Sequence, residues 1–558
     1  VSAQDLGNFF LFYTGFPNIG NAELAPGGGC GYKDSFNTGK IMSVQPSREV
    51  FHKRAEQGNL IPVWKEILAD QETPVSAYER VRSFLRRKDH ASHTWMLESV
   101  EGGEHIGRYS FIGGSPRAIL RARGTVTEIT EGNITTEVAD TDPLEVLKNK
   151  MSRYQPVRDP ALPRFVGGAV GFLGYDMISV FEPHVPVIEN DAIGNPDMVM
   201  MITNAIIIFD HVNHTMKVVA NAYNNGDPDQ AYDEALGEID MLCEALLQPV
   251  DRVLIDAHLE VEPVVPESNM TIDEYRGMVE KGKEYIRAGD IIQTVLSQRF
   301  EVENTADSLD VYRALRSINP SPYMFCLDLG ESALVGSSPE VHVRCEDRCV
   351  EVRPIAGTRP RGKTEAEDLA LEKELLADPK ELAEHLMLLD LGRNDVGRVC
   401  EFSTVRVEDQ MVIERYSHVM HIVSDVKGTL SPEHDAYDVM RATFPAGTVS
   451  GAPKVRAMEI IAELEKTKRG PYAGAVGYFS FDGNLDSCIT IRTVVLDNDR
   501  AYVQAGGGIV ADSVPETEYQ ETRNKAGAVM KALALAKHYA AARKSSRQIA
   551  TARNNETE

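Results

Sequence analysis

Two pairs of glutamates define the chemistry this sequence could perform. Glu381 and Glu384 stand three apart in the stretch 378–395, and Glu518 and Glu521 repeat the relation further on. A spacing of three puts both carboxylates of a pair on one side of a helix. Four carboxylates from two helices make a hard oxygen site suited to Mg²⁺, which keeps several waters and binds one or two of them directly. Asp378 followed by Pro379 supplies a helix cap and a preset first turn. Leu382, Leu386 and Leu389 then give that helix one apolar face. The same spacing also suits a solvated face, and Glu381 stands where a capping box would put it.

The elements that must position these acids belong to a chain of 558 residues with a formal charge of −26. That balance argues against nucleic acid and anionic membrane, which are bound through clustered Lys and Arg. An anionic substrate would need a locally positive pocket. Seven cysteines lie scattered, with no Cys-x-x-Cys pair, as expected of reduced thiols in a cytoplasmic protein. The apolar run 198–209 is too short to span a bilayer and reads as one buried strand.

Residues 1–41 carry no basic segment before an apolar core and no Arg, so neither a secretory signal nor a transit peptide is expected. They read as a disordered leader, with Met42 as the expected start. From 42 to 248 strands predominate, with helices from Pro74 and over 228–246. The Pro-rich stretch 249–270 reads as a linker. Residues 271–543 open on a helix, 272–288, and mix long strands with the two glutamate helices and one at 452–465. Residues 544–558 read as a disordered tail. Helices that do not alternate regularly with strands predict an α+β fold, with large sandwich-like sheets and helices packed outside.

The stretch Pro354-Ile-Ala-Gly-Thr-Arg-Pro-Arg-Gly362 resembles the chorismate-utilising enzymes. So do Glu381-Leu-Ala-Glu384-His, Arg393-Asn-Asp395, Ser417-His-Val-Met-His421, Gly447-Thr-Val-Ser-Gly-Ala-Pro-Lys454 and Ala505-Gly-Gly-Gly-Ile-Val-Ala-Asp512. The resemblance runs from about Ile61 to Leu535. It implies that Mg²⁺ is held by Glu384 and Glu521 directly, with Glu381 and Glu518 behind them through water. It makes Arg492 the binder of a chorismate carboxylate, helped by Tyr472 and the main chain of Gly506, Gly507 and Gly508, with Thr448 in the substrate loop. Glu340 becomes the general acid for the departing C4 hydroxyl, with His421 and Thr358 also catalytic. Gln293, Ala356 and Gly357 line the substrate. Relatives that add water carry a lysine in place of Gln293. Relatives that form 4-amino-4-deoxychorismate carry a lysine in place of Ala356, as a covalent nucleophile. Both differences point to direct attack of ammonia at C2, loss of water and then of pyruvate, and an anthranilate product. The alternatives are aminodeoxychorismate synthesis, isochorismate synthesis, or a catalytically silent tryptophan-binding regulator.

The same resemblance implies a feedback pocket for tryptophan built from Glu98, Ser99, Asn319, Pro320, Tyr323 and Met324. It makes the N-terminal part regulatory and the C-terminal part chorismate-binding. No cysteine sits in a nucleophile turn followed by the His and Glu that glutamine hydrolysis needs. The implied partner is therefore a glutamine amidotransferase subunit, the second component of a hetero-oligomer, supplying ammonia.

Overall fold

The computed structural model describes the backbone of residues 43–557, apart from 90–92, 101–106, 251–253, 257–258 and 417–418. The expected leader and start, and Ser417 and His418 of the quoted motif, lie outside the described residues.

Strand Ala205–Asp210 shows how the layers arise. Ala205, Ile207 and Phe209 enter one apolar cluster with helices, while Ile206 and Ile208 enter another with a second sheet. A strand buried on both faces has no polar side to alternate with, so its sequence is a continuous apolar run. The run 198–209 is in fact two strands. Met198–Ile202 belongs to one sheet and Ala205–Asp210 to the other, and the chain crosses between them at Thr203 and Asn204. At the crossing Thr203 N–H donates to Gly168 at 2.8 Å and Asn204 Nδ2 to Glu238 at 2.9 Å, while Asn204 Oδ1 is buried without a partner among the described residues. Apolar content alone could not reveal the change of sheet.

The first sheet runs from Leu60–Leu68 through Thr215–Tyr223, Ala205–Asp210, Tyr109–Gly114, His93–Glu98, Tyr323–Leu329, Ser332–Ser338, Thr493–Asp497 and Arg500–Ile509 to Gln293–Glu303 and Glu267–Ser268. The second runs from Arg406–Val407 through Val426–Thr429, Cys349–Val352, Val341–Glu346, Leu485–Ile489, Ala475–Ser480, Gly168–Leu173, Met198–Ile202 and Ala118–Arg123 to the hairpin Val126–Glu131 and Ile134–Val138. Their inner faces meet around Trp95, Phe111, Phe325, Phe172, Val199 and Tyr478. Helices cover the outer faces, giving the expected α+β sandwich. A small third sheet joins Ile355–Pro360, Val419–Val423 and Val412–Arg415.

Strands from both sides of the 249–270 stretch share each sheet. His93–Glu98 pairs with Tyr323–Leu329, and Gly168–Leu173 with Ala475–Ser480. Residues 44–558 thus form one compact unit. Part of the stretch itself is packed down, Val264 N–H reaching Met530 and Glu267–Ser268 extending the first sheet.

Helix ends follow their caps. Asp227 and Pro228 start Pro228–Leu246. Thr271 and Glu274 form a capping box for Ile272–Ala288, and Gly289 closes that helix in the left-handed region that favours glycine. Asp378 caps Pro379–Gly397 by accepting from the N–H groups of Lys380 and Glu381. That helix buries His385, Leu388, Leu389 and Val396, whereas Leu386 is exposed. The apolar face expected at 382, 386 and 389 is therefore turned by about one residue, because His385 bonds Ser424 at 2.6 Å and takes the inward position. The last helix, Pro515–Thr557, runs on past Arg543, where a disordered tail was expected. Ala, Lys, Arg and Gln are good helix formers despite their polarity. Among the described residues no helix is long and apolar enough to cross a membrane, and the six cysteines are free.

Candidate active site

Glu340 stands between strands Ser332–Ser338 and Val341–Glu346, 5 % exposed. Burial raises its carboxyl to about 8, partly offset by hydrogen bonds from Thr448 and the main chain of Ile355. Thr448, in the short turn Gly447–Val449, donates to Glu340 Oε1 at 2.6 Å. The cleft beside them is lined by Arg353, Leu388, Gly392, Thr443 and Ile489.

His421 lies on strand Val419–Val423, opposite Thr358. Its Nδ1 is 2.9 Å from the carbonyl of Gly357 and 3.1 Å from Thr358 Oγ1. A carbonyl only accepts, so Nδ1 carries the proton and Nε2 keeps its lone pair. Burial, the first cause, and Arg492 nearby both lower the pKa of His421, favouring the neutral ring. Gly357 forms a bulge at φ +65°, and a Cβ there would stand 3.2 Å from Glu381 Oε2. The bulge thus joins the His421 strand to the first glutamate helix, with Ala356 buried beside it.

Arg492 precedes strand Thr493–Asp497 in the left-handed region, φ 53°, as does Ala473 at φ 63° beside Tyr472. Non-glycine residues held there cost about 1 kcal/mol or more and gather at functional sites. Arg492 Nη1 donates to the carbonyl of Lys525 at 2.9 Å. Among the described residues it forms no salt bridge with any carboxylate. A partly buried guanidinium without an acid partner, in a chain this acidic, is a ready anion site.

Strand Arg500–Ile509 brings Gly506, Gly507 and Gly508 between the two glutamate helices. A Cβ on Gly506 would meet Tyr472 Oη at 2.7 Å, one on Gly507 would meet Glu518 Oε2 at 3.1 Å, and one on Gly508 would meet Gln293 Nε2 at 2.3 Å. The glycines are required by this close approach. Gln293 donates to Glu384 Oε1 at 3.3 Å, leaving its own Oε1 buried and unpartnered.

The four carboxylates are not gathered into one ligand cluster; among the described residues no group of three acids, histidines or cysteines is arranged to hold a metal. Glu381 pairs with Arg359 at 3.1 Å, and Glu521 with Lys525 at 2.7 Å. Burial first, and then repulsion from Glu521, raises the pKa of Glu518. Glu518 and Glu521 repel each other on one helix, and the orphaned amide oxygen of Gln293 lies beside Glu384, so these oxygens suit a hard divalent cation.

Away from this cleft, a small cavity of about 60 Å³ lies between the sheets. Glu98, Ser99, Tyr323 and Met324 line it with Arg164, Arg344, Tyr478 and Asp486. Asn319 and Pro320 are not among its lining residues; Asn319 Nδ2 bonds Ser337 at 3.0 Å instead. Glu98 is held by Tyr312 and, at 2.9 Å on each oxygen, by Arg316. Tyr323 Oη bonds Asp486 and Arg344, each at 2.9 Å.

Sequence reasoning missed Arg359, Lys525 and the Arg164–Arg344–Asp486 group. Lys525 was legible, four residues after Glu521 on a helix. The partners of Arg359 lie on other elements, and the third group is assembled only by sheet pairing.

Residues 96–531 match the family described as chorismate binding enzyme. Anthranilate synthase component 1 of Acetivibrio thermocellus is 48 % identical over 483 residues, 86 % of this chain and 96 % of its own length. That of Pseudomonas aeruginosa is 49 % identical over 496 residues, 88 % and 99 % respectively. The crystal structure of anthranilate synthase component I from Streptococcus pneumoniae TIGR4 superposes with a TM-score of 0.66 at 39 % identity, covering 83 % of this chain and 99 % of that one. An isochorismate synthase of Escherichia coli, MenF, at 17 % identity and TM-score 0.62, shares the fold. The chain belongs to the chorismate-binding enzyme family. Its place there is among the anthranilate synthase component I chains, large subunits that serve tryptophan biosynthesis.

Proposed function

We propose that the cleft around Glu340, His421 and Arg492 converts chorismate and ammonia into anthranilate, pyruvate and water. One observation carries this assignment of roles: a buried carboxyl that stays protonated near neutrality shares a site with a neutral histidine and an arginine that has no acid partner among the described residues. Arg492 grips a substrate carboxylate, with Tyr472 and the N–H groups of the glycine strand closing on it. Ammonia adds at C2, the ring double bonds shift, and Glu340 gives its proton to the C4 hydroxyl, which leaves as water. His421 Nε2 then takes the C2 proton while the enolpyruvyl ether departs as pyruvate and the ring becomes aromatic. Thr358 and Thr448 orient the base and the acid. Gln293 and Ala356, neither able to act as base or nucleophile, leave ammonia as the attacking group.

Glu384 and Glu521 would hold Mg²⁺, with Glu381 and Glu518 behind them through water. When bound, the ion supplies positive charge opposite a substrate carboxylate. The inter-sheet cavity takes tryptophan, and because its walls come from both halves of the chain, tryptophan that favours one arrangement of those walls would inhibit. Ammonia comes from a glutamine amidotransferase subunit, and the enzyme works in the cytoplasm.

The test is anthranilate fluorescence with this chain alone, chorismate, ammonium and Mg²⁺, repeated with EDTA and with tryptophan. Anthranilate formed only with Mg²⁺ and suppressed by tryptophan is expected. A non-aromatic amine or hydroxyl product would transfer the assignment to an aminodeoxychorismate or isochorismate synthase. Tryptophan binding without turnover would leave a regulator.

A further inference from the structure

Arg469 is 1 % exposed, among the largest fully buried side chains of the protein. It forms an ion pair with the equally buried Glu465 at 2.6 Å. A buried ion pair is a costly way to fill space, since well-packed apolar residues of the same volume are often as stable or more so. What distinguishes this pair is where its remaining bonds fall. Nη1 donates to the carbonyl of Val449 at 2.8 Å, and Nη2 to that of Val295 at 2.7 Å. Val449 adjoins Thr448, which bonds Glu340, and Val295 lies two residues from Gln293, which bonds Glu384. The guanidinium also stands 5.6 Å from the ring centre of Tyr472. Glu465 Oε1 accepts from Ser297 N–H and Oγ at 2.8 and 2.9 Å, fixing the same strand a second time.

The other side of Arg469 is held by the N-terminal half. Its guanidinium lies 4.5 Å over the ring of Tyr175, and Gly470, the next residue, exchanges main-chain and carboxylate bonds with Tyr175 and Asp176 at 2.8 and 2.7 Å. A planar fork with fixed donor directions sets the separation of its acceptors in a way an ammonium cannot.

We propose that Arg469 is a positioning residue: locked by Glu465, it fixes the Thr448 turn, the Gln293 strand and the Tyr472 ring relative to one another, and so holds the Thr448 hydroxyl against Glu340. This rests on the assignment of Glu340 as the acid. In the Mg²⁺-loaded chain, Arg469→Lys is expected to lower kcat at least about 30-fold while the KM for chorismate changes by a smaller factor, because the acid is displaced and the guanidinium of Arg492 is kept. Guanidinium added to Arg469→Ala restores part of the lost rate.

Infrared titration of the Glu340 carboxyl, taken as the difference from Glu340→Gln, gives a readout that needs no turnover. Loosening the Thr448 bond removes a donor to the carboxylate, so the Glu340 midpoint rises in Arg469→Lys. An unmoved midpoint with kcat within about 2-fold of the parent overturns the proposal. If Arg469→Lys does not fold, Glu465→Gln is judged by the same two measurements. If the parent chain makes no anthranilate, the chemistry assigned to the cleft fails, while the infrared midpoint alone still decides the role of Arg469.

Discussion

Thr448 donates its hydroxyl to Glu340 across 2.6 Å, joining a three-residue turn to a buried acid that titrates at about 8. The bond favours the carboxylate, so it holds the acid below the value that burial alone would set. The catalytic rate is expected to fall at low pH where His421, held below its ordinary 6.5, takes up a proton, and to fall again above about pH 8 as Glu340 loses its own. Thr448→Val removes the donor and should move the upper limb to higher pH, as read from kcat against pH.

The same acid makes a prediction about stability with the opposite sign to activity. Its pKa is raised above the ordinary 4.5 by burial, so the folded chain keeps a proton that the unfolded chain releases between pH 4.5 and about 8. This contribution is fully present below the unfolded pKa and is lost as pH rises through the folded one. Glu340→Gln abolishes the cost, so it should melt higher than the parent at pH 8.5, by an amount on the order of a few kcal/mol, and lose the advantage by pH 4.5. Its turnover should drop about 10²-fold or more.

Arg492 offers a planar fork to a carboxylate, and a lysine would offer a single point charge. Arg492→Lys is expected to raise the KM for chorismate about 10-fold or more, with the melting temperature little changed. Steady-state kinetics at several chorismate concentrations measure it, and an unchanged KM removes Arg492 from the substrate grip.

Titration calorimetry with Mg²⁺ separates the four acids. Glu384→Gln and Glu521→Gln should weaken binding most, whereas Glu381→Gln should weaken it by about 10-fold or less. Equal losses at all four positions would contradict the division into direct and water-mediated ligands.

Two glycines test the close approach at the site against simple backbone freedom. Gly508→Ala puts a Cβ 2.3 Å from Gln293 Nε2 and should cut kcat/KM sharply. Gly527 lies in the last helix with nothing within 4 Å of its missing Cβ, and Gly527→Ala should stabilise the chain by about 0.5–1 kcal/mol without loss of rate.

Much of the fold could be read from local signals. Helices 228–246 and 272–288 lie where the sequence reading puts them, and their ends follow local signals, because Asp227, Pro228, Thr271 and Gly289 act within a few residues of themselves. The sheet change at Thr203 and the merging of the two halves could not be read, since strand pairing joins residues hundreds of positions apart. The candidate site divides in the same way. Glu381, Glu384, Glu518 and Glu521 are visible as spacing, and the resemblance supplies Glu340 and His421. That Glu340 is protonated and His421 neutral follows only from what buries them and what each nitrogen or oxygen touches. Arg359 and Arg469 stayed hidden for the same reason: their importance lies in acceptors contributed by other elements.

The shared sandwich also governs how this protein can come into being. Strand Gly168–Leu173 waits for Ala475–Ser480, and His93–Glu98 for Tyr323–Leu329. During synthesis the first half therefore leaves the ribosome with open sheet edges and apolar faces, and neither sheet can be completed until most of the chain has been made. A fragment cut at 249–270 would carry five strands of each sheet and part of the apolar layer between them, with the edges at His93–Glu98 and Gly168–Leu173 left unpaired.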